Sequence, residues 1–410
     1  MQNADSQEPR RISGKRAPAA TRHSRPRLWC VPPPLTREPD EGPPGLRVLQ
    51  ECPGDAGLVL WQVLRDVLLW SATDPALRGG LFDANAEAGR AALSSRVNFD
   101  EDVRGAVAAL AAVAARPSGV GADAITAACR EISRWAARRG WGGTAVAFAE
   151  AAALADPASG ALAAGAGAVA LRFGSHNRAD AYLRRAVGLA RRGAEWEAYA
   201  EALLGLAELH EAKGNGETAR PFLLRACRFA RRFGLRQTRG RAAYGLLRLG
   251  TAAADVQEVE RYLDIAVRAF GRQSAEQRAV LRHVAQFWIA SGDPTRAIPV
   301  LLSLRAAIES PETRLDTAVL LVRATAGSEH RIAFEEAWER ASSLADAAGE
   351  TLARAGAFMD LARAAHAAGE RGRADYAARR AADAADQLGL GEVAAEARLL
   401  ASQHRGDVAR

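Results

Sequence analysis

The sequence contains few cysteines, few aromatic residues and no long hydrophobic run. The four cysteines among 410 residues form no CxxC pair and are too sparse for a disulfide scaffold, which favours a reducing compartment and predicts a cytoplasmic protein. No run of eighteen uncharged apolar residues occurs, so no membrane helix or membrane partner is expected. Aromatic residues make up 6% of the chain and apolar residues 49%, with much of the apolar fraction supplied by alanine. This composition favours closely packed helices over sheets.

The motifs of metal, nucleotide and catalytic sites are also missing. The seven histidines are scattered, without HExxH and without any pair spaced i, i+3 or i, i+4. Neither a GxxxxGK[ST] loop nor a GxSxG elbow occurs. Glycine patterns at residues 119–124 and 165–170 imitate a dinucleotide fingerprint, but no predicted strand precedes them, and small residues in the second serve helix packing. We therefore expect no enzyme, no catalytic residue, no metal and no cofactor.

The N-terminal part of the chain differs from the rest. Residues 1–50 are predicted to form a disordered, basic, proline-rich tail, in which nine basic residues outnumber five acidic ones. This tail holds more than half of the formal net charge of +7. Residues 51–85 predict a helical lead-in or cap, because the apolar residues at 58–70 share one broad helical face.

From residue 86 to 390 the sequence repeats a helix-turn-helix unit. A turn residue is followed by an alanine five positions later, an apolar residue four beyond that and a small residue three further on. The alanine position recurs at residues 145, 179, 219, 259, 297, 334 and 374, and a degenerate eighth copy precedes the first. Small residues at facing positions let two helices approach closely, and the turn glycine takes a positive φ. Each hairpin alone leaves an apolar face bare, so neighbouring hairpins must stack.

The units resemble tetratricopeptide repeats in a longer-helix variant of the kind found in bacterial regulators and scaffolds. The best copy carries Leu206, Ala207, His210, Gly214, Ala219, Leu223 and Ala226. The resemblance implies an all-α fold, a right-handed α-solenoid of seven or eight stacked hairpins over residues 86–390. Residues 391–410 would then form a C-terminal helical cap and a polar end.

The resemblance also implies that the first helix of each hairpin lines a concave groove. The inward residues that it assigns are Arg130, Arg134, Glu201, Glu208, Glu211, Arg241, Tyr244, Arg248, Arg282, Gln286, Asp316, Arg323, Arg363 and His366. Helical spacing supports one group, since Arg241, Tyr244 and Arg248 stand at i, i+3 and i+7. We expect a mostly cationic groove with an acidic band in its first third.

An arginine-rich stretch at residues 219–254 overlaps this groove. No acidic residue lies between Glu217 and Asp255, whereas nine arginines do. Arginine offers planar, bidentate donors to carboxylate or phosphate groups. The alternative is that these arginines are solvated or pair with acids of adjacent repeats, such as Glu258 and Glu260.

Three functions remain as hypotheses. The first is a scaffold or adaptor that binds an acidic peptide or protein segment in the groove. The second is a nucleic-acid-associated protein that holds phosphates with the basic tail and the arginine-rich stretch. The third is a regulatory sensor that acts through a separate output chain.

Overall fold

A computed structural model of the chain describes residues 45–83, 88–92, 95, 97–305, 310–326, 331–349 and 351–406. Within these residues every regular element is a helix and no strand occurs, which confirms the all-α prediction. Residues 1–44 of the predicted tail lie outside the described part. The first helix begins at Leu46, inside the segment predicted as tail.

In the N-terminal region residues 88–92 are helical, and the structure gives the bounds of three further α-helices and one 3-10 helix. They are α1 (Leu46–Glu51), α2 (Asp55–Ala72), the 3-10 helix (Pro75–Gly80) and α3 (Glu101–Ala115). Glu51 fixes α1 to the first hairpin, because its carboxylate accepts hydrogen bonds from the backbone N–H groups of Gly143 and Thr144 at 2.8 and 2.7 Å. The carboxylate thereby satisfies two free donors at a helix N-terminus.

Seven helical hairpins follow, each made of an even-numbered first helix and an odd-numbered second helix. They are α4 (Ala122–Arg138) with α5 (Gly142–Ala155), α6 (Gly160–Arg172) with α7 (His176–Gly193), α8 (Trp196–Ala212) with α9 (Gly216–Arg232), α10 (Arg236–Ala252) with α11 (Val256–Ala269), α12 (Ala275–Ala290) with α13 (Pro294–Leu304), α14 (Pro311–Ala326) with α15 (Arg331–Ala347), and α16 (Leu352–Ala367) with α17 (Arg371–Gln387). A final helix, α18 (Gly391–Gly406), packs on α17. The chain is thus an α-solenoid of stacked hairpins.

The repeat register predicted from the sequence is confirmed. All seven alanine-type positions are the fourth residue of a second helix, and all are buried, with Phe334 and Val259 replacing alanine in two copies. The turns before six of these helices contain a residue of positive φ. Five of the six are glycines, and Ala254 takes the left-handed conformation at φ 54° in the remaining turn.

Glycines in the first helices let neighbouring hairpins approach each other closely. A Cβ atom on Gly205 would lie 2.6 Å from Cδ2 of Leu183, and one on Gly245 would lie 2.7 Å from Cδ2 of Leu223. Each leucine belongs to the second helix of the preceding hairpin, four residues after the register alanine. The backbone of each new hairpin therefore packs directly on a leucine of the hairpin before it.

Successive hairpins lie closer to one another on the side of their first helices than on the side of their second helices. From α6 onward each first helix contacts the first helix of the next hairpin, and the last first helix, α16, contacts α18. The second helices of successive hairpins make no comparable contact in the described residues. We call the surface formed by α6, α8, α10, α12, α14, α16 and α18 the inner face. No helix of the described ranges is both long and apolar enough to cross a membrane.

Candidate binding groove

Two cavities open on the inner face. The N-terminal cavity has a volume of about 560 Å³ and is lined by α6, α8 and one arginine of α10. The C-terminal cavity has a volume of about 440 Å³ and is lined by α12, α14, α16 and α18. Both volumes are in the range of small-molecule and side-chain binding sites.

The structure collects eight of the fourteen sequence-assigned groove residues into these cavities. Glu201, Glu208 and Arg241 line the N-terminal cavity. The C-terminal cavity receives Arg282, Gln286, Asp316, Arg323 and Arg363. Glu211, Tyr244 and Arg248 lie on α8 and α10 outside both linings, as does His366 near the end of α16.

Arg130 and Arg134 are separate from the rest. Both lie exposed on α4, and α4 makes no contact with α6 comparable to those between later first helices, as far as the structure describes them. The guanidinium of Arg134 donates to the backbone carbonyl of Arg130 at 3.3 Å. These two residues therefore lie outside the inner face.

Small residues form one wall of the N-terminal cavity. Ala161, Ala164, Gly165 and Ala168 stand on α6 at i, i+3, i+4 and i+7, so they share one helix face. A Cβ atom on Gly165 would meet no atom within 4 Å, while one on Gly167 would lie 2.6 Å from Leu183. The sequence-based packing explanation is therefore right for Gly167 but not for Gly165, which faces open space.

The opposite wall carries the acidic residues Glu195, Glu197, Glu201 and Glu208. Arg241 pairs with both Glu201 and Glu208, at 3.1 Å from the latter, and Glu201 also accepts a hydrogen bond from Thr238 at 2.9 Å. The cavity is thus lined by four glutamates and a single arginine. The acidic band predicted for the first third of the groove is present.

Two other groups shape this cavity. Glu195 accepts hydrogen bonds from the backbone N–H groups of Gly160 and Ala161 at 3.0 and 2.8 Å, so it caps the N-terminus of α6. Trp196 stacks on Phe233 with ring centroids 4.7 Å apart and planes 14° apart. This stacking restricts the orientation of the indole of Trp196, which is one of the residues that line the cavity.

A polar cluster separates the two cavities along the chain. Arg248 pairs with Glu211 at 3.1 Å, and Thr251 lies 3.0 Å from Nε2 of His283, whose ring meets Tyr244 edge to face. Burial raises the pKa of Glu211, and Arg248 opposes that shift. Burial lowers the pKa of His283, and the positive charge of Arg248 lowers it further.

The C-terminal cavity contains balanced charge. Its guanidinium groups are those of Arg282, Arg323 and Arg363, and its carboxylates are those of Asp316, Asp360 and Glu396. Arg363 bonds Glu396 at 2.5 Å and Asp360 at 3.5 Å, while Arg323 lies 3.8 Å from Asp360. Burial raises the pKa of Asp316, and Arg282 opposes that shift.

The expectation of a mostly cationic groove therefore needs correction. The arginines assigned on α10, α14 and α16 pair with carboxylates of neighbouring first helices or α18. Sequence reasoning missed Asp360 and Glu396. They stand 37 residues after Arg323 and 33 residues after Arg363, so a search for acids one repeat length away would have found them.

Of the nine arginines in the arginine-rich stretch, three have a carboxylate partner, five exposed ones have none, and Arg239 is half-buried beside the Cys227 thiol. Arg220 pairs with Glu258 as the sequence alternative anticipated, but Glu260 bonds Arg296 instead. The arginines of the stretch that pair with a carboxylate are Arg220, Arg241 and Arg248. Arg225, Arg228, Arg231, Arg232 and Arg236 are exposed and have no carboxylate within ion-pair distance among the described residues.

The described residues contain no group of three or more His, Cys, Asp and Glu side chains placed to hold a metal ion. Cys129 is fully buried on α4, and burial raises the pKa of its thiol to about 12. Because the thiolate is the reactive form, this cysteine is an unreactive core residue.

No protein-family model matches the chain, and no curated protein matches it. Among solved structures, BtubC (BKLC) from P. vanneervenii is 17% identical with a TM-score of 0.42, covering 56% of this chain and 92% of its own. A Rap protein complexed with Competence and Sporulation Factor is 11% identical with a TM-score of 0.44, covering 87% and 98%. An IFIT1 mutant with m7Gppp-AAAA is 12% identical with a TM-score of 0.46, covering 79% and 72%.

Proposed function

We propose that the protein is a non-enzymatic scaffold of the tetratricopeptide-repeat type that binds a segment of another protein along the inner face. The observation that carries this proposal is the pair of cavities, about 560 and 440 Å³, on the same face of the stacked hairpins. Each is lined by residues of the first helices of successive hairpins, and the C-terminal cavity also by α18. A surface assembled from several repeats suits an extended segment.

The acidic character expected of the partner is retained for the C-terminal cavity. The side chains of Arg363 and Glu396 are 53% and 54% exposed, and an ion pair at this exposure contributes about 0–1 kcal/mol. A partner carboxylate can therefore replace Glu396 as the acceptor at little cost. Arg323 and Arg282 line the same cavity and supply further donors.

The proposal is tested by selecting random peptides on the immobilised full-length chain and measuring their affinities by fluorescence anisotropy. Gly356→Leu adds a side chain to the lining of the C-terminal cavity, at a position where a Cβ atom meets nothing within 4 Å. Gly105→Leu is the matched control, since Gly105 is an equally open helical position on α3, away from both cavities.

We expect Gly356→Leu to weaken peptides that bind the C-terminal cavity by about tenfold or more. Gly105→Leu should leave their affinity unchanged, and Arg363→Glu should weaken acidic peptides most. Peptides whose binding is insensitive both to Gly356→Leu and to the equivalent filling of the N-terminal cavity at Gly165 would contradict the proposal.

Nucleic-acid binding is a second candidate, favoured by the exposed arginines without carboxylate partners. Arg228 and Arg232 stand at i and i+4 on α9, so they present two charges on one face. Phosphate binding predicts that affinity for single-stranded RNA falls steeply with salt, and that Arg228→Glu with Arg232→Glu reduces the slope. An affinity that is equal at low and moderate salt would exclude this function. A sensor that reports binding to a separate chain would use the inner face in the same way as a scaffold.

A further inference from the structure

We propose that the N-terminal cavity binds a basic side chain, arginine in preference to lysine, carried by the partner segment. This inference rests on the proposed function, because it assigns the chemistry of one part of the same inner face. It makes the partner a segment of mixed charge, with a basic residue at this cavity and an acidic residue at the C-terminal one.

The charge of the N-terminal cavity is unbalanced. The single guanidinium of Arg241 is shared between Glu201 and Glu208. Glu195 is engaged at the N-terminus of α6, while Glu197 is exposed and has no ion-pair partner in the described part of the chain. The cavity therefore carries an excess of negative charge, and a concave surface concentrates the resulting field.

Open space lies beside this charge. The α6 wall offers only alanine and glycine side chains, and the position of a Cβ atom on Gly165 is open. The aliphatic part of an arginine or lysine can lie along this apolar wall while its charged end meets the carboxylates across the cavity. An acidic side chain would meet the same wall but would be repelled by the glutamates.

An aromatic residue of the cavity lining favours arginine over lysine. Trp196 lines the cavity and is held by its stacking on Phe233. A guanidinium stacks on an aromatic ring and forms bidentate hydrogen bonds with a carboxylate, whereas an ammonium group acts as a point charge. A binding site that combines a fixed indole with carboxylates therefore discriminates between the two basic residues.

The test uses random peptides selected on the full-length chain, on Gly165→Leu and on Gly356→Leu. Gly165→Leu fills the N-terminal cavity at an open helical position, and Gly356→Leu is its counterpart in the other cavity. Peptides that are lost only on Gly165→Leu should be enriched in arginine. Replacing that arginine by citrulline, which keeps the shape and removes the charge, should weaken binding about tenfold or more.

A thermodynamic cycle assigns the effect to the cavity carboxylates. Glu197→Gln removes one charge without touching the pairs made by Arg241, so it should weaken the arginine peptide but leave the citrulline peptide unchanged. The inference is overturned if cavity-dependent peptides lack basic residues, if citrulline binds as tightly as arginine, or if arginine peptides bind Gly165→Leu as well as wild type.

Two further outcomes are distinguishable. Peptides that depend on the C-terminal cavity alone would overturn this inference and support the proposed function, whereas the absence of any peptide binding would overturn both.

The basic N-terminal tail is an alternative occupant. If arginine peptides bind only after Arg10, Arg11 and Arg16 are changed to glutamate in the full chain, the tail occupies the cavity and a partner's residue does not.

Discussion

The replacement Gly160→Ala should destabilise the protein, whereas Gly165→Ala on the same helix should stabilise it. A Cβ atom on Gly160 would lie 2.6 Å from the backbone nitrogen of Ala190 and 2.7 Å from its Cα and Cβ atoms. These atoms belong to α7 and cannot move aside as a side-chain end can. The two helices of the hairpin must therefore separate, which we estimate to cost about 1–3 kcal/mol of unfolding free energy.

Gly165 provides the control because its Cβ position is empty. Alanine there should gain about 0.5–1 kcal/mol, since glycine in a helix loses more backbone entropy on folding. The two variants should therefore differ by about 1.5–4 kcal/mol, with opposite signs relative to wild type. Urea denaturation of the full-length chain, followed by circular dichroism, measures the difference.

Stacked hairpins can unfold in parts, so a local measurement should accompany the global one. Hydrogen exchange of amides in α6 and α7 should become faster in Gly160→Ala and not in Gly165→Ala. If Gly160→Ala proves as stable as Gly165→Ala by both measurements, the close approach of α6 to α7 is wrong.

Three other perturbations test the packing and the electrostatics. Ala219→Glu places a charge at a fully buried register position, so it should lower the unfolding free energy by several kcal/mol, on the order of the worst core substitutions; an unchanged melting temperature would refute the register. Asp66→Ala leaves the largely buried guanidinium of Arg90 without its carboxylate and should cost about 3–5 kcal/mol in urea denaturation, whereas no loss would exclude that pair. NMR titration should place the pKa of His283 below its ordinary 6.5, because burial and Arg248 disfavour the imidazolium. The folded state favours the neutral imidazole, so the unfolding free energy should be undiminished above pH 6.5 and should fall as the pH drops through the folded-state pKa. His283→Gln should remove this pH dependence, and a pKa at or above 6.5 would contradict the assignment.

The hairpins and their register could be predicted from the sequence because the determining contacts are local. A small residue such as Ala219 faces the other helix of its own hairpin, only a few positions beyond a turn, so spacing alone locates it. The assignment of Arg241, Arg282 and Arg363 to first helices was correct for the same reason.

The charge of the groove could not be predicted in this way. Arg363 is neutralised by Glu396 and Arg241 by Glu201, and each partner lies on another first helix or on α18, more than thirty residues away in the chain. Composition within one helix says nothing about such pairs. The same limitation applies to Gly165 and Gly167, which look alike in sequence but face a cavity and a leucine respectively.

Photo-cross-linking tests most directly whether a partner segment lies along the inner face. A selected peptide carrying benzoylphenylalanine at successive positions is cross-linked to the full-length chain, and the attachment sites are identified by mass spectrometry. We predict cross-links to α6, α8, α12, α14 and α16. Cross-links confined to the second helices α7, α9, α11, α13, α15 and α17 would place the partner on the opposite surface and contradict the account.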